Sequence, residues 1–180
     1  MVLKIFGRKP ALLNIKKVFF SYTGRQITLT EGTLGLLDVV IPLGRICRYG
    51  GGSRVFWPVL LHSMVVADLL PKRLEAHGLL HDMTDAVFGD IPKPFKTEEM
   101  LSLQHRMHDK FLLGFGLALL NAKDKRLIKR ADTRAFLGEQ VVAPPGRAEV
   151  IGRDMRAEQL TIQYRQRYAI ADCLEADGRA

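Results

Sequence analysis

Cysteine is scarce in this chain, with only Cys47 and Cys173 among 180 residues. Two thiols cannot build a disulfide framework, so a packed core must hold the fold, and a reducing, intracellular setting is expected. Long apolar runs are missing too. The opening stretch MVLKIFGRKPALLNIKKVFF is interrupted by charge every few residues, which excludes both a signal-peptide core and a spanning helix there. The expectation is a soluble, cytoplasmic protein with no membrane partner. No internal repeat or low-complexity segment is visible. The length suits a single domain over residues 1–180, large enough to bury a core without cross-links.

Acidic residues are outnumbered. Nineteen Asp and Glu against 27 Lys and Arg give a formal charge of +8 and a pI of about 9.7. Such an excess suits an anionic partner, whether nucleic acid or a phosphorylated metabolite, or else a solvated surface. The basic residues are spread over Lys16, Lys17, Arg45, Arg48, Arg54, Lys123 to Arg134 and Arg147 to Arg167. No single block forms, which argues against a dedicated nucleic-acid arm.

Most of the chain carries helical patterning, so the expected fold is an all-α bundle. The exception is VFFSYTGRQITLT, residues 18–30, where β-branched and aromatic residues flank Thr23-Gly24 in a short hairpin or extended lead-in. A helix is expected from near Asp38, with Pro42 delaying or kinking it and Gly50 to Gly52 ending it. FWPVLLHSMVVADLL reads as a strong helix around His62, and Lys72 to Met83 as the next. GDIPKP must be a turn, since Gly89, Pro92 and Pro94 forbid a continuous helix. Thr97, followed by Glu98 and Glu99, reads as the N-cap of a helix running toward Ala118. Further helices are expected over Lys125 to Glu139 and Arg147 to Ala176, separated by Pro144-Pro145-Gly146.

The stretch HGLLHDMTDAVFGDIPKPFK holds charge that an apolar core helix has no reason to bury. His81 and Asp82 point about 100° apart on a helix, yet both reach an ion beside it if neighbouring helices close the site. His62 on the preceding helix and Asp132 in IKRADTRAF complete a set of two imidazoles and two carboxylates. That set suits Mn, Fe, Co, Ni or Zn with positions open for water and substrate. Each member also has an ordinary reading: His62 as a satisfied core histidine, Asp132 as a surface ion-pair partner of Lys129, Arg130 or Arg134. His105 and His108 in QHRMHDK are read as part of a solvated face, Lys96 as solvated, and Trp57 as a core anchor rather than a platform for a base.

Four ordered segments over Ser21 to Glu139 resemble the HD-domain phosphohydrolases, in particular their small 5'-deoxynucleotidase-like branch. SYTGRQ is similar to its YTGR lead-in, and ICRYGGGSRVFWPVLLHS to the glycine segment that ends in a metal-binding histidine. HGLLHDMTDAVFGDIPKPFK is similar to its LLHD-acid-GDIP signature, and IKRADTRAF to the helix delivering the last aspartate. The resemblance implies that His62, His81, Asp82 and Asp132 hold a divalent ion (Mn, Co, Zn, Fe or Mg). It places Asp85 beside the catalytic water, although that position is more often glutamate, and it implies a homo-oligomer. Gly52 stands where relatives often have histidine, and Leu61 where a polar residue is common. Arg48 and Tyr49 match an Arg-aromatic pair beside the substrate, and Asp90 and Lys93 lie in the adjoining turn, where Lys93 would hold phosphate as a point charge. The implied activity is hydrolysis of deoxynucleoside monophosphates to nucleoside and phosphate, or of triphosphates such as dATP with release of triphosphate. A basic nucleic-acid-binding module with a vestigial HD site is the rival of another class.

Overall fold

The structure, a computed structural model, describes residues 18–53, 55–142 and 156–164. It is an all-α bundle with one very small sheet. The expected hairpin is present: β1 (Phe19–Phe20) and β2 (Gln26–Ile27) run antiparallel, with Phe19 opposite Ile27. The turn closes where Arg25 N–H donates to Ser21 Oγ at 3.0 Å. Helix α1 (Leu36–Arg45) begins slightly before Asp38 and contains Pro42, so the proline neither delays nor ends it. Asp38 is 1 % exposed and accepts from Gly35 N–H at 2.8 Å and Thr23 N–H at 2.7 Å. One carboxylate therefore caps α1 and ties the hairpin to it.

A 3₁₀ turn over Arg48–Gly51 follows, with Tyr49 at φ 59° and Gly50 at φ 60°. Helix α2 (Val59–Asp68) buries Val59, Leu61, His62, Val65, Val66 and Ala67. A helix apolar nearly all round belongs in the middle of a bundle, and α1, α3 and α6 all pack on it. Trp57 is fully buried with Leu61 against it, the core anchor expected from its position.

The segment from Lys72 to Met83 departs from the expected single helix. It forms a 3₁₀ turn (Lys72–Leu74), α3 (Glu75–Leu79), a run of turns over residues 80–84, and α4 (Asp85–Phe88). The break has a local cause. His81 Nδ1 donates to the carbonyl of Gly78 at 2.8 Å, the acceptor that a continuing helix would offer to the amide of Asp82. Gly78 also lies so close to α2 that a Cβ there would sit 2.9 Å from Ala67 Cα. His81 and Asp82 therefore lie on a turn rather than inside a helix, and Asp85 opens the next helix instead of sharing theirs.

GDIPKP is a turn as expected, passing into a 3₁₀ turn at Lys93–Phe95. Helix α5 (Glu98–Gly114) opens with Thr97 Oγ1 accepting Met100 N–H and stops short of Ala118. Helix α6 (Ala122–Val142) overruns the expected Lys125 to Glu139 at both ends, because Asn121 Oδ1 accepts Asp124 N–H at 2.9 Å and caps it earlier. The main core joins Leu43, Val59, Met83, Met107 and Phe111; a second cluster joins Val65, Val66, Ala131, Ala135 and Ala157. Residues 156–164 are helical, and the rest of the helix expected over Arg147 to Ala176 lies outside the described residues. No helix among the described residues is long and apolar enough to cross a membrane.

Candidate metal centre

Helix α2 places His62 at the centre of the bundle with no exposure. An imidazole there must be paired or ligated, since burying an unsatisfied polar group costs roughly 1–3 kcal/mol. Its Nδ1 meets Glu139 Oε1 at 2.6 Å. Glu139, near the end of α6, is itself fully buried, and its Oε2 accepts from Arg48 Nε and from Tyr49 Oη, each at 2.9 Å. Burial alone would raise the Glu139 carboxyl, but His62 and Arg48 outweigh it and hold it down at about 2. This carboxylate links a candidate ligand to both members of the Arg-aromatic pair.

On the turn after α3, His81 uses Nδ1 in the same way against Gly78 O. With both Nδ1 atoms donating, both Nε2 atoms are left as lone-pair donors to a metal. Both are buried and hydrogen-bonded to nothing, although carboxylates lie close. His62 Nε2 is 3.3 Å from Asp132 Oδ1 and 3.7 Å from Asp82 Oδ2; His81 Nε2 is 3.1 Å from Asp82 Oδ2. The carboxylates and imidazoles thus converge on a shared space, 3.1–3.7 Å from one another. One ligand atom each from His62, His81 and Asp132 lies within 4.8 Å of the others, close to the span of about 4 Å set by ligand bonds of about 2 Å to one ion. The residues fit a divalent ion on this ground. Asp82 adjoins both imidazoles but falls outside that mutually close triad.

The electrostatics agree. Burial and Arg48 both disfavour a charged His62, yet Glu139 and Asp132 raise it to about 9: the surrounding carboxylates demand a positive charge at this point. Burial would raise the Asp132 and Asp82 carboxyls, but His62 and His81 hold them well below the usual range. Asp132 also pairs with Lys129 at 2.5 Å, so its surface ion-pair reading and its inward-facing one both hold.

Asp85 at the start of α4 is 4 % exposed. Burial first, and the Asp82 charge second, push it up to about 8. It borders a cavity of about 1020 Å³ together with Arg48, Tyr49, Asp90, Lys93 and the His81–Asp82 pair. Asp90, expected to orient Lys93 or receive a sugar hydroxyl, accepts Tyr49 N–H at 3.2 Å and so ties down the left-handed Tyr49 turn. Lys93 shares the wall with Lys129, whose ammonium is the foremost cause holding Lys93 below its ordinary value. His105, His108 and Lys96 also line this cavity; His105 is exposed, as a solvated face requires, while His108 and Lys96 are half-buried. The turn at 80–84 and the length of α5 bring them in, and neither is visible in a local window.

Glu139 is the residue that sequence reasoning missed. It lies seven positions after Asp132, two turns along one face of α6, and that spacing was the available signal.

No known family profile matches the chain. Over 73 residues it is 34 % identical to the uncharacterised protein YfdR of Escherichia coli (strain K12), a match covering 41 % of this chain and 40 % of YfdR. The chain thus spans well under half the length of the curated relative it matches, and the name of that relative states no activity.

Proposed function

We propose that the chain is a metal-dependent nucleotide phosphohydrolase of the HD type, acting on deoxynucleoside monophosphates. The observation that carries this reading is the pair of buried Nε2 atoms of His62 and His81, without a hydrogen bond and close to Asp132; His81 and Asp132 line a cavity that also presents Lys93, Lys129 and Arg48. Asp82 completes the ligand set. A divalent ion held there supplies a Lewis acid that makes water nucleophilic near neutral pH and polarises a phosphoryl oxygen. Asp85, buried on the same cavity wall as Asp82, takes up the water's proton when its carboxylate is ionised. Lys93 and Arg48 offset charge developing on the phosphate. Arg48 does so while bound to Glu139 and 3.8 Å from Asp82, which fixes its guanidinium beside the site.

The triphosphate alternative draws on the lysines at the cavity: Lys96 and Lys125 add to Lys93 and Lys129, offering charge for two further phosphates. A panel of ribo- and deoxynucleotides assayed with Mn, Co and Mg tests both. Alanine at His62, His81 or Asp132 is expected to remove stoichiometric metal, whereas Asp85→Asn is expected to keep it and lose roughly 10²–10⁴ in turnover. A metal-loaded wild type that releases no phosphate or polyphosphate from any nucleotide sinks the reading.

A further inference from the structure

The same cavity reaches past the candidate metal centre, into the space between α3, α5 and α6, where two polar atoms are left without partners. Gln104 on α5 is 6 % exposed, lines the cavity, and its Nε2 is buried with no hydrogen bond. His77 on α3 also lines it. Its Nε2–H donates to Ala118 O at 3.0 Å, which leaves Nδ1 as an acceptor, and that atom is likewise buried and unpartnered. One orphan is a donor and the other an acceptor. Leaving both unmet costs free energy unless a ligand satisfies them. Leu101, Leu112 and Ile128 supply apolar walls, the usual make-up of a small-molecule site with a few placed polar groups.

The position along α5 relates this pair to the metal centre. His108 lines the cavity together with His81 and Asp82, and Gln104 lies four residues earlier on the same helix, about 6 Å along the axis. A sugar imposes an offset of this kind between a 5'-phosphate and its base. Resting on the nucleotide reading above, we propose that Gln104 and His77 are the polar groups of a nucleobase subsite. The base it suits presents a ring acceptor beside an exocyclic amine. Adenine, with N7 next to its 6-amino group, is the usual partner of a glutamine amide. Gln104 Nε2–H donates to the ring nitrogen, and His77 Nδ1 accepts from the amine.

The test is direct binding, followed by calorimetry on the full chain, with two probes that cannot report phosphate hydrolysis of a nucleotide: 2'-deoxyadenosine, which lacks the phosphate, and deoxyribose 5-phosphate, which lacks the base. Gln104→Leu is expected to weaken 2'-deoxyadenosine roughly tenfold and leave deoxyribose 5-phosphate unchanged. Gln104→Glu, which keeps the size and loses the donor, serves if the leucine variant melts early. His77→Phe is expected to erase the preference for 2'-deoxyadenosine over purine 2'-deoxyriboside, which lacks the amine. Unchanged 2'-deoxyadenosine affinity in both Gln104 variants, equal weakening of the two probes, or no binding of 2'-deoxyadenosine by the wild type overturns the subsite. Nucleotide hydrolysis by the wild type is scored separately. Hydrolysis without a Gln104 effect removes the subsite alone; a Gln104 effect without hydrolysis removes the enzyme reading and leaves the subsite standing.

Discussion

At the scale of single residues the site rests on Glu139, a fully buried carboxylate that accepts from Arg48 and Tyr49 and pairs with His62. Such an outer partner fixes which imidazole nitrogen faces the metal. Glu139→Gln keeps the shape and turns an amide toward donors that need an acceptor. It is expected to weaken metal binding about 10- to 100-fold and to destabilise the fold by about 3 kcal/mol, since the Arg48 charge loses its buried counterpart. Metal titration and thermal melts check the two effects; a variant with wild-type metal affinity would reduce Glu139 to packing. His62, His81, Asp82 and Asp132 were legible in the sequence only as a set drawn from ordered segments, since Asp132 alone, among Lys129, Arg130 and Arg134, reads as a surface charge. Glu139 was not, because a glutamate near the end of a basic helix looks like one more surface charge, and its burial depends on α2 crossing α6 at His62.

Among the secondary elements, features with local causes were legible. Thr97 and its following acids announce α5, and the prolines of GDIPKP announce their turn. The interruption between α3 and α4 was not legible, because Gly78, read as an ordinary helical residue, is there for close approach to Ala67, and its carbonyl is claimed by His81. Gly78→Ala tests this. A methyl 2.7 Å from Leu70 Cδ1 and 2.9 Å from Ala67 Cα must push α3 off α2, at a cost of about 1–3 kcal/mol. Because His81 is anchored to that same residue, metal affinity is expected to fall with stability; unchanged affinity would show that the turn positions itself. The α1 cap gives a pH prediction. Burial would raise Asp38, but the Gly35 and Thr23 amides outweigh it and lower it from 3.8 to about 2. A carboxylate with a depressed folded value contributes stability that is fully present above its unfolded value and lost as pH falls through the folded one. Acid unfolding of the wild type should therefore carry a component between about pH 4 and 2 that Asp38→Asn lacks; superimposable acid limbs would count against the cap.

For the whole molecule, the net charge of +8 is not gathered at the site: Arg48, Lys93, Lys96, Lys125 and Lys129 border one cavity, and Asp82, Asp85, Asp90, Asp109 and Asp132 line it with them. Salt and metal separate the proposed phosphohydrolase from a nucleic-acid module, whose affinity would fall steeply with salt and ignore metal. The cavity lining also bears on which bond breaks. His81, Asp82 and Asp132 line the same cavity as Lys93 and Arg48, so a phosphoryl group drawn to those cations would lie beside an ion held by His62, His81 and Asp132. In the proposed reaction, attack there would cleave the bond between the phosphorus of that group and the nucleoside 5' oxygen, and the incoming oxygen would leave with the phosphate. A monophosphate then yields nucleoside and phosphate; a triphosphate bound with its innermost phosphate at the ion yields nucleoside and intact triphosphate. Hydrolysis of dAMP and dATP in heavy-oxygen water, with chromatography and mass analysis of the products, is expected to place the label in the phosphate or triphosphate. It should stop on addition of a chelator and return with Mn or Co. Label in the nucleoside, or release of diphosphate, would mean that the ion faces a different atom and that Lys93 and Arg48 do not hold the phosphate that reacts.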